Sequence, residues 1–117
     1  MRVPARPKWT DAGIAVTPGE RLRFEATGTW RDWTIDTGPE GFERAYLRVF
    51  AKARRVPAAP WFALCGALNC NEATAFVIGA GREWVAPAAG QVFVFANDVP
   101  WAYFNNQGEI ELSVTRL

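Results

Sequence analysis

Histidine is absent from the 117-residue chain. Without an imidazole, Ser-His-Asp and Cys-His catalysis are excluded, and so is any histidine-ligated metal. Cysteine is scarce, at two residues, Cys65 and Cys70. So sparse a pair is no disulfide scaffold, and neither its spacing nor the surrounding residues suit a CxxC redox or zinc motif. Both are read as reduced thiols in or near a strand. No apolar run approaches the length of a transmembrane helix, so no membrane insertion is expected. The start, Met1-Arg2-Val3-Pro4-Ala5-Arg6-Pro7-Lys8, is basic and broken by proline, with no apolar stretch behind it. It therefore does not read as a signal peptide. The expected location is cytoplasmic, or outside the cell by a route that needs no such peptide. An excess of either charge is lacking too: 13 Lys+Arg stand against 12 Asp+Glu, for a net +1. Nothing draws the whole chain toward nucleic acid or anionic lipid. Hard-cation binding through oxygen, carboxylate chemistry and plain recognition remain open.

What the chain does have is apolar bulk: half its residues are hydrophobic, with six Trp, eight Phe and two Tyr. The length fits one domain over residues 1–117, able to bury a core without a disulfide. Alternation is clear over residues 20–26, where Leu22, Phe24 and Ala26 share one face and charges fill the other. Residues 91–97 are apolar nearly throughout, the pattern of a strand covered on both faces. Residues 109–115 alternate again, and 74–78 and 83–86 read as shorter strands. Gly and Pro punctuate the gaps at Pro18-Gly19, 79–81 and 87–90. Many short strands between such turns predict an all-β, antiparallel sandwich.

One segment departs from this pattern. Between Phe42 and Arg55 the apolar residues Phe42, Ala45, Tyr46, Val49, Phe50 and Ala53 recur at helical spacing. A short amphipathic helix near residues 42–55 is expected, ended by Pro57, with Arg44, Arg48, Lys52, Arg54 and Arg55 on its exposed face. The competing reading is an irregular loop whose aromatics plug the sandwich edge. A basic helix invites a nucleic-acid reading, but the rest of the chain offers no basic surface, so no nucleic-acid partner is expected.

The densest cluster of polar oxygens is the 97–108 stretch, Asn97-Asp98-Val99-Pro100-Trp101-Ala102-Tyr103-Phe104-Asn105-Asn106-Gln107-Gly108. It lies between the two best strands, and so forms a loop. Folded back, it can bring one carboxylate and two amide carbonyls together, the oxygen donors that Ca²⁺ takes. Ordinary turn chemistry explains the same residues, since Asn and Asp bond their own backbone in turns.

Asn97-Asp98-Val99-Pro100, with Tyr103 and Asn105-Asn106-x-Gly108, resembles the galactophilic, PA-I-like family of bacterial lectins. Pro18-Gly19-Glu20, Ala26-x-Gly28 with Trp30, Cys65-Gly66-Ala67-Leu68 and Trp84-Val85-Ala86-Pro87 agree in order, and Trp9-Thr10-Asp11-x-Gly13-Ile14 is similar to related sandwich domains. The resemblance runs from about Trp9 to Val114. It implies a jelly-roll-like β-sandwich that binds carbohydrate through a loop-held Ca²⁺ bridged by sugar hydroxyls, and it implies a homo-oligomer. Carried over by position, Asp98, Asn105 and Asn106 become side-chain metal ligands, and Trp33 and Ala102 backbone ones. Asp98, Val99, Trp101, Asn105 and Trp33 become the sugar contacts.

The departures lie in the same loop. Two glycines of the family pattern are Trp101 and Phe104 here, residues that would be strained if those positions needed positive φ. The histidine and glutamine that contact galactose in the family have no counterpart in the central segment, so the sugar is not specified. Glu43 or Arg44 is a candidate to reach the site in their place. A second reading is a lectin-like sandwich that has lost sugar binding and serves as an assembly domain. A third, carboxylate hydrolysis, rests on the acids Asp32, Asp36, Glu40 and Glu43, which read more simply as solvated loop residues. Trp9, Trp30, Trp61 and Trp84 are assigned to the core or to subunit contact, and Phe93 and Phe95 to the core.

Overall fold

The computed structural model describes all 117 residues. Nine strands form two antiparallel sheets: β1 Arg2–Pro4, β2 Thr10–Val16, β3 Arg21–Asp32, β4 Ile35–Thr37, β5 Leu64–Leu68, β6 Asn71–Val77, β7 Gly81–Val85, β8 Gly90–Ala96 and β9 Asn106–Arg116. One sheet has the order β1-β9-β3-β4, with β7 also on β3, and the other β2-β8-β5-β6. The all-β sandwich is as the alternation predicts. No helix is long and apolar enough to cross a membrane.

β3 and β9 form the longest seam, from Leu22 opposite Arg116 to Asp32 opposite Asn106. On its other edge β3 takes β7 along its first residues and β4 along its last. Leu22, Phe24, Ala26 and Trp30 of β3 point inward with Ile110 and Leu112 of β9 and meet Leu64, Val92 and Val94 of the opposite sheet. The expected strand over 20–26 thus continues to Asp32. β1, β2 and β4 carried no expectation, and β5 only the one that places Cys65 in or near a strand. β5 is buried along its whole length, because its second face is covered as well. There Cys65, Ala67 and Phe95 pack with Ala59 and Ala63 under Trp9 and Val56. Trp30, Trp61 and Trp84 are buried as assigned, Phe95 is fully buried and Phe93 half so. Both cysteines are free, and burial pushes the Cys65 thiol up to about 12.

The short helix expected near residues 42–55 is present as a 3₁₀ helix over Ala45–Ala53, but its faces are not the expected ones, since none of its residues is buried. Tyr46, Val49 and Phe50 stand exposed, so the apolar stripe does not dock on the core. With three residues per turn, the helical spacing that marked one α-face is spread around the axis. Arg54 and Arg55, expected in solvent, are buried instead, and they fasten the segment. The Arg54 guanidinium lies over the Trp61 ring at 5.1 Å and pairs with Glu43 at 2.6 Å. Arg55 lies over Phe95 at 3.7 Å and Trp9 at 4.3 Å, pairs with Glu72, and donates to Lys8 O at 2.6 Å. Gly41 is required where the segment starts. It has positive φ, and a Cβ there would lie 2.6 Å from the Ala63 amide nitrogen.

Candidate functional site

The chain leaves β8 at Ala96 and enters the polar loop with two buried side chains that behave oppositely. Asn97 is satisfied within the fold. Its Oδ1 accepts the Val56 N–H at 2.9 Å, and its Nδ2 donates to the carbonyls of Val56, Ala59 and Pro60. It pins the 56–60 turn against the sheet, and all its side-chain bonds run to that turn. Asp98 is 2% exposed. Its Oδ1 accepts the Val99 N–H at 2.7 Å, and its Oδ2 is buried with no partner.

The loop then turns. Ala102 N–H donates to Val99 O at 3.1 Å, closing a β-turn with Pro100 second, where its fixed φ fits. Neither Trp101 nor Phe104 has positive φ, so the aromatics that replace the family's glycines sit unstrained. A 3₁₀ turn, Tyr103–Asn105, follows. Tyr103 anchors it from beneath, donating to Ala96 O at 2.5 Å and accepting from Arg55 Nη1 at 2.8 Å. Burial raises its phenol pKa, which keeps the hydroxyl protonated and donating. β9 begins at Asn106, whose Nδ2 donates to Ala5 O at 3.2 Å. The side-chain oxygens of Asn105 and Asn106 are both buried without a partner. Gly108, at φ +82° and close to the Trp30 backbone, lets β9 bend past β3 just after them.

A second element closes the site. Asp32 and Ile35 pair across a two-residue turn, and Trp33 adopts positive φ there. Trp33 N–H donates to Asn105 O at 3.2 Å, so the β3–β4 hairpin is tied to the loop. The Trp33 carbonyl, carried over as a metal ligand, already accepts from Arg31 Nε at 3.1 Å. One of its two lone pairs is therefore engaged.

These parts surround a cavity of about 210 Å³. Asp98, Asn105, Trp33, Val99, Trp101 and Ala102 all line it, so most of the sequence-derived site is brought together. Asn106 does not line it but lies beside Asp98. Glu43 and Arg44 do not reach it. Glu43 is held by Arg54, and Arg44 lies over Phe42. The 42–55 segment contributes an apolar wall of Tyr46, Leu47 and Phe50 instead. Asp32 also lines the cavity, which sets it apart from the solvated acids with which it was grouped. Its signal was in the sequence: carried two residues past Trp30, the alternation of β3 turns Asp32 to the inner face. Of the other acids, Asp36 faces Arg31 at 3.6 Å.

The electrostatics of the cavity are negative and uncompensated. Burial, and then the neighbouring Asp32 charge, push Asp98 up to about 7, against the Val99 N–H bond and the nearby Asn106 amide, whose own N–H is bonded to Ala5 O. Burial also raises Asp32. No three acidic, Cys or His side chains converge anywhere in the molecule, so the donor set is one of carboxylate and amide oxygens. A buried polar atom without a partner costs about 1–3 kcal/mol. Three such oxygens, on Asp98, Asn105 and Asn106, fit a hard cation that takes oxygen ligands.

No protein-family model matches the chain, and no curated protein does. Among solved structures the chain is similar to the EclA N-terminal domain, a PllA-like lectin, with a TM-score of 0.77 and 24% identity. The likeness covers 100% of this chain and 94% of that one. At that identity it establishes the fold, and the sandwich implied by the loop motif is the sandwich observed.

Proposed function

We propose that the protein binds carbohydrate without catalysis, through Ca²⁺ held in the 97–108 loop. The observation that carries this reading is the set of three unpartnered, buried oxygens on Asp98, Asn105 and Asn106. They belong to the residues that the loop motif singled out. Trp33 and Trp101, 71% and 64% exposed, stand at the rim of the same cavity. Their faces are free to cover the apolar side of a sugar ring, as Tyr and Trp do where one side of a ligand is apolar and the other wet. Asp98, Asn105 and Asn106 would hold the ion, with Ala102 O and the free lone pair of Trp33 O completing the protein's share. When bound, Ca²⁺ supplies open coordination positions for hydroxyl oxygens. The protein's own groups do the rest. Asp98 and Asn105 orient hydroxyls, Val99 closes the floor, and Trp101 excludes water from one face. The like domain being a PllA-like lectin accords with sugar as the ligand class.

Differential scanning fluorimetry in calcium and in chelator, followed by a glycan array with calcium present, tests the reading. Equal melting temperatures in both conditions and an empty array would sink it. The exposed Tyr46, Val49, Phe50 and Phe104 favour a second reading, an assembly domain that has lost sugar binding. An empty array with a discrete protein partner in pull-downs selects it. Asp32 and Asp98 are the one carboxylate pair sharing the cavity, and so the one place for hydrolase chemistry. Release of nitrophenol from aryl glycosides would overturn the binding-only reading. Assembly into a homo-oligomer is part of the proposal, and light scattering that returns the 13.0 kDa monomer mass would remove it.

A further inference from the structure

We infer that Asp32 is a second carboxylate ligand of the divalent-cation site, acting with Asp98, so that two protein charges rather than one balance the ion. The inference rests on the calcium reading above. β3 turns Leu22, Phe24, Ala26 and Trp30 inward, and Asp32 follows Trp30 on that face. In register Asp32 stands opposite Asn106, and the next residue, Trp33, is bonded to the Asn105 main chain. One strand end thus delivers a carboxylate against both loop asparagines and into the cavity lined by Asp98.

No protein cation neutralises this pair. Arg31 is turned to Asp36 and the Trp33 carbonyl, Arg54 to Glu43, and Arg55 to Glu72. Two like charges close together in a partly buried site repel, and an opposite charge between them is what makes both favourable. The same cavity holds the unpartnered Asp98 Oδ2 and stands beside the unpartnered Asn106 Oδ1, on side chains 2% and 0% exposed. Hydroxyls of a neutral sugar satisfy lone pairs but leave the charge standing. A divalent cation does both, and its affinity is set by the count of charged ligands.

The test uses terbium as a calcium probe on the full chain, with luminescence sensitised by Trp33 and Trp101 and displaced by calcium. Asp32→Asn is expected to weaken calcium roughly tenfold or more. Its metal-free melting temperature should equal or exceed that of the native protein, because repulsion has been removed. If Asp32→Asn binds calcium as tightly as the native protein, Asp32 is no ligand and the calcium reading stands. If affinity falls together with the metal-free melting temperature, Asp32 holds the fold and the inference is overturned. Native protein that takes up neither terbium nor calcium overturns the calcium reading, and Asp32 with it.

Discussion

Two asparagines of one loop separate structure from binding. Asn97 completes four hydrogen bonds to the 56–60 turn, whereas the Asn105 side-chain oxygen makes none. Asn97→Ala is expected to cost about 2–4 kcal/mol in urea unfolding of the metal-free protein, since it strands buried partners. Asn105→Ala should leave that stability nearly unchanged and remove most of the calcium-induced rise in melting temperature. Asp98 adds a pH dependence whose sign follows from its raised pKa. A carboxyl that binds its proton more tightly folded than unfolded weakens the fold where it is ionised, above about 7. The metal-free protein should therefore gain stability as pH falls from 8 to 5, and Asp98→Asn should flatten that gain in melting curves. Trp101→Ala should leave calcium affinity alone and lower sugar affinity by a factor of roughly two to ten, the scale of one aromatic contact. These loop residues were legible because they are neighbours in the chain. Asp32 was legible only in part: the alternation of β3 turns it inward, but its pairing with a distant strand is what brings it beside Asn106.

At the scale of elements, legibility followed burial pattern. β3, β8 and β9 announced themselves by alternation or apolar continuity. β5 did not: it too is covered on both faces, but the five residues Leu64–Leu68 lack the β-branched and aromatic side chains that mark β8. β1 and β4 are three residues each, too short to carry one. In the 42–55 segment the helix was legible but its faces were not, because the α-type spacing is spread around a 3₁₀ axis and leaves Tyr46, Val49 and Phe50 exposed. The segment is held by buried arginines at its end, a role that sequence position alone assigns to solvent. Arg55→Leu should cost about 2–3 kcal/mol, the value of a hydrogen-bonded charge. Chemical denaturation reads that loss. Because Arg55 also supports Tyr103 under the loop, calcium affinity should fall with it.

For the molecule as a whole, binding and folding share one equilibrium. A ligand at about 100 times its Kd adds roughly 2.7 kcal/mol to stability. For a domain of this size that corresponds to a rise on the order of 10 °C. Saturating calcium should produce a shift of this order in the native protein and little in Asp98→Ala. The β3–β9 seam gives that coupling a direction. Its last rung is Asp32 opposite Asn106, so in the metal-free chain the central zipper of the five-stranded sheet ends on a carboxylate that repels Asp98 across the cavity. That end is where the zipper should start to fray. A cation there would act as its clasp, slowing amide exchange first at Arg31 and Gln107 and progressively less toward Leu22 and Arg116.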